Sequence, residues 1–189
     1  MQFFIKHVPN SARGIYFSLK ICYTVHMDIF YTRAPVASSD FLTSVLARCG
    51  EPAPEILRSP NGKPYLKGNA LYFSITHTEG LTAIAVSSQE VGLDAERRKS
   101  RRSDALKARL TSLEREEDFF ELWTAKEAYI KFRGETLART LPCLVYEHKT
   151  LLLNSHPVPV FLKHFQLENC TLCVCAEREE DIFITELRK

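Results

Sequence analysis

The apolar positions of this chain fall into short segments with two different periods. Phe41, Val45 and Leu46 recur at helical spacing and predict a short helix over residues 40–48, with Asp40 placed to cap it. A turn-rich connection follows over 50–64, holding Pro52, Pro54, Pro60, Asn61-Gly62 and Pro64. Residues 71–75, 81–87 and 91–96 predict strands, the first two joined by His77-Thr78-Glu79-Gly80. Residues 105–110 and 114–132 predict helices, the longer one ended near Gly134. From Cys143 onward the pattern is strand-like, at 144–147, 150–153, 158–165 and 172–176. Strands and helices thus come in two passes. This predicts an α+β fold of two similar α/β-like halves, residues 27–96 and 97–189, meeting near 92–104, with residues 1–26 as an N-terminal extension.

The longer helix carries an unusual pattern. Phe119, Leu122, Trp123 and Ile130 form an apolar stripe, yet Lys126 falls in the middle of it and Glu127 on its edge, with Lys131 one turn beyond. Burying a Lys and a Glu among aromatic residues costs several kcal/mol unless both find partners. Two readings follow: a structural ion pair inside the helix packing, or charges lining an active cleft.

Composition narrows the classes. The 189 residues are 45% hydrophobic and 25% charged, with a formal net charge of +2. That is ordinary for a globular chain, and it argues against disorder and against a strongly basic nucleic-acid binder. Ile15 to Val25 is apolar but interrupted by Lys20, which speaks against a signal peptide, and no run is long enough to span a membrane. The expectation is a cytoplasmic protein. Six cysteines at 22, 49, 143, 170, 173 and 175 show no framework spacing. Cys170, Cys173 and Cys175 read as a core strand rather than a zinc site, since no second Cys-x-x-Cys completes a tetrahedron. The run of Arg97, Arg98, Lys99, Arg101 and Arg102 could steer an acidic partner or be a solvated loop; without interleaved aromatic residues it is a poor nucleic-acid surface.

Candidate chemistry starts at Val91-Gly92-Leu93-Asp94-Ala95-Glu96. On a strand Asp94 and Glu96 share one face, about 7 Å apart by the strand rise, and repel unless a cation lies between them. Hard carboxylate oxygens of this kind suit Mg²⁺. With Glu127 they make three carboxylates for one ion, while Lys126 and Lys131 supply positive charge for phosphates. This is phosphoryl-transfer equipment without a P-loop, since no G-x-x-x-x-G-K-[ST] occurs. Thr76 and His77, a hydroxyl and an imidazole at a strand-to-turn junction, are further candidates to bind a phosphate.

The order of motifs, Gly62-Lys63-Pro64, then Phe73-Ser74-Ile75-Thr76-His77-Thr78, then Gly92-x-Asp94-x-Glu96, then Trp123-Thr-Ala-Lys126-Glu127-Ala-Tyr-Ile-Lys131, resembles the 4′-phosphopantetheinyl transferases of the monomeric Sfp-like class over about residues 57–137. The resemblance implies a pseudo-twofold pair of α/β subdomains with the active site in the cleft between them. It implies transfer of the phosphopantetheine arm of coenzyme A to a serine of an apo acyl or peptidyl carrier protein, with Mg²⁺ required, Mn²⁺ as its substitute, and 3′,5′-ADP released. By position it makes Asp94, Glu96 and Glu127 the metal ligands. Thr76, His77 and Lys131 become coenzyme A phosphate contacts, and Lys63-Pro64 the adenine wall. Glu127 becomes the base for the carrier serine and Lys126 its assistant, so that the catalytic set is Glu127, Lys126 and Asp94. The chain departs from the family pattern at Ser74, where Asn is usual, and at Thr76 and Thr78, where Ser is usual. A competing expectation is a relative that binds coenzyme A or a carrier protein without efficient turnover.

Overall fold

The computed structural model describes residues 26–68, 71–99 and 110–188. The extension over 1–26 and the helix over 105–110 therefore lie outside the described residues, apart from His26 and Leu110. The main strands are β1 (His26–Thr32), β4 (Tyr72–Thr78), β5 (Leu81–Ser87), β6 (Val91–Arg97), β10 (Phe161–Leu167), β11 (Cys170–Ala176) and β12 (Asp181–Glu186). They form one sheet ordered β12-β1-β5-β4 and a second ordered β10-β11-β6. Two small sheets join β2 (Ile56–Arg58) to β3 (Pro64–Leu66), and β7 (Leu144–Glu147) to β8 (Thr150–Leu153) and β9 (His156–Pro157).

The fold is mixed α and β, with few helices and many strands. The sheets do not follow a divide at residue 96. β6 joins β11 in the second sheet, and the C-terminal β12 returns to pair in parallel with β1 in the first.

Side-chain alternation explains the layering. On β5, Leu81, Ala83 and Ala85 face an apolar cluster shared with Met27, Ile29, Leu93, Leu172 and Val174, so this cluster lies between the two large sheets. The opposite residues Ile84 and Val86 pack on Phe41, Val45 and Leu46 of α1 (Ser38–Arg48). β11 repeats the arrangement: Leu172 and Val174 face the inter-sheet cluster, while Cys173 and Cys175 face α2 (Phe119–Arg133) and its neighbours. The layer order is α1, first sheet, second sheet, α2. Both central strands are buried on both faces, which is why they read as nearly continuous apolar runs. Cys170, Cys173 and Cys175 behave as core residues, and burial raises the thiols of Cys173 and Cys175 well above the ordinary range.

The predicted helix over 114–132 is two pieces. A 3₁₀ turn, Glu114–Glu116, precedes Asp118, and the α-helix begins only at Phe119. Asp118 stops the chain in an extended conformation and caps α2, accepting from the backbone N–H of Phe120 at 2.9 Å and of Glu121 at 3.0 Å. Gly134 ends the helix in the left-handed region at φ 61°. The helix predicted over 40–48 is α1, but its N-cap is Ala37 and Asp40 lies in the first turn, where its charge complements the helix dipole.

Gly92 sets how closely α2 meets β6. A Cβ there would overlap the carbonyl oxygen of Ala128 and the backbone nitrogen of Phe132, neither of which can swing aside as a side chain can. Gly92→Ala is therefore expected to destabilise the protein by about 1–3 kcal/mol, as overpacked sites do. A chemical denaturation curve with wild-type midpoint would refute this close approach.

Candidate active site

Gly92, Asp94 and Glu96 alternate with Leu93 and Ala95, which point into the inter-sheet core. They therefore face α2. Asp94 is 3% exposed. Its Oδ1 accepts from Lys131 Nζ at 2.6 Å and from the Thr76 hydroxyl at 3.1 Å. Its Oδ2 is buried with no hydrogen-bond partner.

Glu127 lies one helical turn before Lys131 on the same side of α2. Burial pushes its carboxyl up to about 7; the negative charge of Asp94, and to a lesser degree that of Glu96, push the same way, against Lys131 and a hydrogen bond from Trp123. The structure thus brings together Asp94, Glu127 and Lys131, with Glu96 and Thr76 beside them. Among the described residues no three acidic, His or Cys side chains already converge closely enough to hold a metal ion.

Beside this cluster are two adjoining cavities. The larger, about 360 Å³, is walled by Pro64, Tyr65, Tyr72, Phe73 and Phe132, with Arg133 at its edge. The smaller, about 230 Å³, shares Lys63 and Pro64 with it and is lined by Lys131 and Glu135. Lys131 therefore belongs both to the carboxylate cluster and to a cavity wall. The Lys63 amine ties the segment before β3 to β6 and α2: it is ion-paired with Glu90 and donates to the carbonyls of Val91 at 3.3 Å and Phe132 at 3.1 Å.

Three expectations from sequence take a different form in the structure. Lys126 does not face the carboxylates. It is 5% exposed and ion-paired with Glu114, which also accepts from the Thr111 and Tyr146 backbone N–H groups, both at 3.1 Å. Lys126 and Glu127 are adjacent on a helix and so point about 100° apart, which separates a structural pair from a site residue. The Thr76 hydroxyl is already used twice, donating to Asp94 and accepting from Ala95 N–H at 3.2 Å, so it is not open for a phosphate. The three described residues of the basic run are ion-paired within the chain. Arg97 and Lys99 pair with Glu79, and Arg98 grips Asp118 bidentately at 3.0 and 3.1 Å while lying over the Phe120 ring. Arg101 and Arg102 lie outside the described residues. His77 is exposed near the end of β4, opposite Thr82.

Glu114 was not singled out by the sequence pattern, although a signal was there. Thr111-Ser-Leu-Glu114 is a capping box: Glu114 N–H donates to the Thr111 hydroxyl at 3.3 Å, and the Glu114 carboxylate accepts from Thr111 in return.

The site sets Asp94 and Glu96 of β6 against Glu127 and Lys131 of α2, in a mixed α and β fold. Comparison with known proteins gives the relationship. Residues 90–151, which hold β6, α2 and β7, match the 4′-phosphopantetheinyl transferase superfamily. A 4′-phosphopantetheinyl transferase of Bacillus subtilis is similar, 27% identical over 133 residues that cover 61% of this chain and 59% of the relative. The chain thus spans less than two thirds of that relative's length. By sequence it is related to the 4′-phosphopantetheinyl transferase superfamily.

Proposed function

We propose that this chain is a 4′-phosphopantetheinyl transferase, a holo-[acyl-carrier-protein] synthase that moves the phosphopantetheine arm of coenzyme A to a serine of a carrier protein. The observation that carries the reading is the grouping of Asp94, Glu127 and Lys131 beside an aromatic-walled cavity.

The donor set suits a hard divalent cation. Three carboxylates of β6 and α2 influence one another, and Asp94 offers a buried oxygen that no protein group satisfies. Asp94, Glu96 and Glu127 would hold Mg²⁺, which when bound supplies charge neutralisation at the pyrophosphate. Lys131, now paired with Asp94, would then be freed toward phosphates bound in the cavity it lines. Pro64 and the aromatic wall of the larger cavity suit the flat face of adenine, with His77 an outer phosphate contact.

Glu127 is the group suited to take the proton of the carrier serine, directly or through a water, since it stands in the carboxylate cluster beside Asp94. The serine oxygen would attack the β-phosphorus in line, and 3′,5′-ADP would leave. Lys126 takes no part in this step: Glu114 holds it away from the cluster. The reading includes a monomer in the cytoplasm, with two halves of similar build around the cleft; among the described residues no helix is long and apolar enough to cross a membrane.

The test is incubation with coenzyme A, Mg²⁺ and a panel of apo acyl and peptidyl carrier proteins, read by mass spectrometry of the carrier. A mass gain of one phosphopantetheine on the serine is expected. Tight coenzyme A binding without any gain across the panel would favour the binding-only relative instead.

A further inference from the structure

We infer that Thr76 is a positioning residue for Asp94: its hydroxyl, one of three that tie β4 to the open edge of β6, fixes the carboxylate so that Oδ2 is presented to a divalent cation. This rests on the reading of Asp94 as a metal ligand.

The argument begins with backbone accounting. β6 pairs with β11 along one edge only. Its other edge lies against β4 and is buried, so its N–H groups need acceptors. Ser74, Thr76 and Thr78 alternate on β4 and so share a face. Their hydroxyls accept from the N–H groups of Leu93 at 2.9 Å, Ala95 at 3.2 Å and Arg97 at 3.2 Å. Both series advance by two residues, so side-chain hydroxyls stand where a neighbouring strand's carbonyls would be. This accounts for the Ser-x-Thr-x-Thr pattern without a ligand.

The middle position does more. A hydroxyl that accepts an N–H keeps its own hydrogen to donate. Among the three, only Thr76 is seen donating to a carboxylate, Asp94 Oδ1. With Lys131 on the same oxygen, Oδ1 has two donors and Oδ2 none. Threonine is stiff at χ1, so the hydroxyl is a fixed point for the carboxylate. Outer partners of metal ligands act in this way, and losing one weakens metal affinity by about 10- to 100-fold.

The experiment measures Mn²⁺ binding by the loss of free-ion electron paramagnetic resonance signal, and coenzyme A binding by calorimetry, on the full chain. Thr76→Val is expected to weaken Mn²⁺ binding by about 10- to 100-fold while leaving coenzyme A affinity near wild type. Thr76→Ser, which keeps the hydroxyl, should restore Mn²⁺ binding. Ser74→Ala and Thr78→Val remove the other two tethers; they should lower the melting temperature yet leave Mn²⁺ affinity unchanged. Unchanged Mn²⁺ binding in Thr76→Val overturns the inference. So does an equal loss in Ser74→Ala, which would mean general loosening, or a loss of coenzyme A affinity alone, which would mean a phosphate contact. A wild-type chain that binds Mn²⁺ through Asp94 but modifies no carrier would remove the transferase reading and leave the Thr76 comparison intact.

Discussion

Asp94→Asn and Glu127→Gln are each expected to fold and to lose about two to four orders of magnitude in turnover, the range for removing a general base or an electrostatic stabiliser. Asp94 is the focus of the cluster, holding Lys131 and Thr76 on one oxygen. Glu127 carries a second signature. Its carboxyl in the metal-free protein titrates at about 7, pushed there by burial and then by Asp94. Protons therefore compete with Mg²⁺ for it, and the half-saturating Mg²⁺ concentration should fall as pH rises through 7. The stability of the metal-free protein should move the other way. A carboxyl whose folded value is raised binds more protons folded than unfolded, so stability falls as pH rises between the ordinary carboxylate range and about 7. Glu127→Gln should flatten that slope. Single-turnover transfer and melts across pH 5 to 8 on the same samples check both (a range of about three units around neutrality). Wild-type turnover in Glu127→Gln would remove it as the base.

The second large effect concerns stability. Lys126 and Glu114 form an ion pair in which both side chains are nearly inaccessible, 6% and 2% exposed. Removing one partner leaves a buried uncompensated charge, so Lys126→Met or Glu114→Gln should cost about 3–5 kcal/mol. The double variant Lys126→Met with Glu114→Gln should recover part of that loss. No buried charge remains, but the Thr111 and Tyr146 N–H groups bond different carboxylate oxygens, so the single amide oxygen can accept from only one of them. Folded Lys126→Met should turn over at near the wild-type rate. Acid should act on the same pair. Burial raises the Glu114 carboxyl, but hydrogen bonds from Lys126, Thr111 and Tyr146 outweigh it and hold it below the ordinary range. Its stabilising contribution is thus present above the usual carboxylate range and lost as pH falls through its folded value. Denaturation curves of the two single variants and the double variant decide the matter; a single variant as stable as wild type would show that the pair is solvated.

Much of the fold was legible because its signals are local. β5, β7 and β8 stand at the residues that short apolar runs bounded by turn residues predict, and Gly134 ends α2 where an αL residue is needed. The relationship to the transferases was legible for a different reason. Gly92, Asp94, Glu96, Glu127 and Lys131 are chemically unusual for their positions, and their spacing survives without knowledge of the contacts.

What escaped the sequence depends on distant residues. β1 and β12 pair in parallel although their partners, such as His26 and Asp181, are 155 residues apart, a choice made by burial of the first sheet's edge rather than by either segment's pattern. The helix predicted from residue 114 breaks because Asp118 finds Arg98 and two backbone N–H groups at once. Adjacent Lys126 and Glu127 look alike in a one-dimensional pattern. Only the packing of α2 against β6 at Gly92, and of the Glu114 turn against β7, sends one into a structural pair and the other to the site. The sequence by itself determined which side chains could do chemistry, since residue type and local period are properties of the chain. The tertiary structure alone decided which of them meet, since a charge is catalytic or structural according to the partner that folding brings within hydrogen-bonding distance.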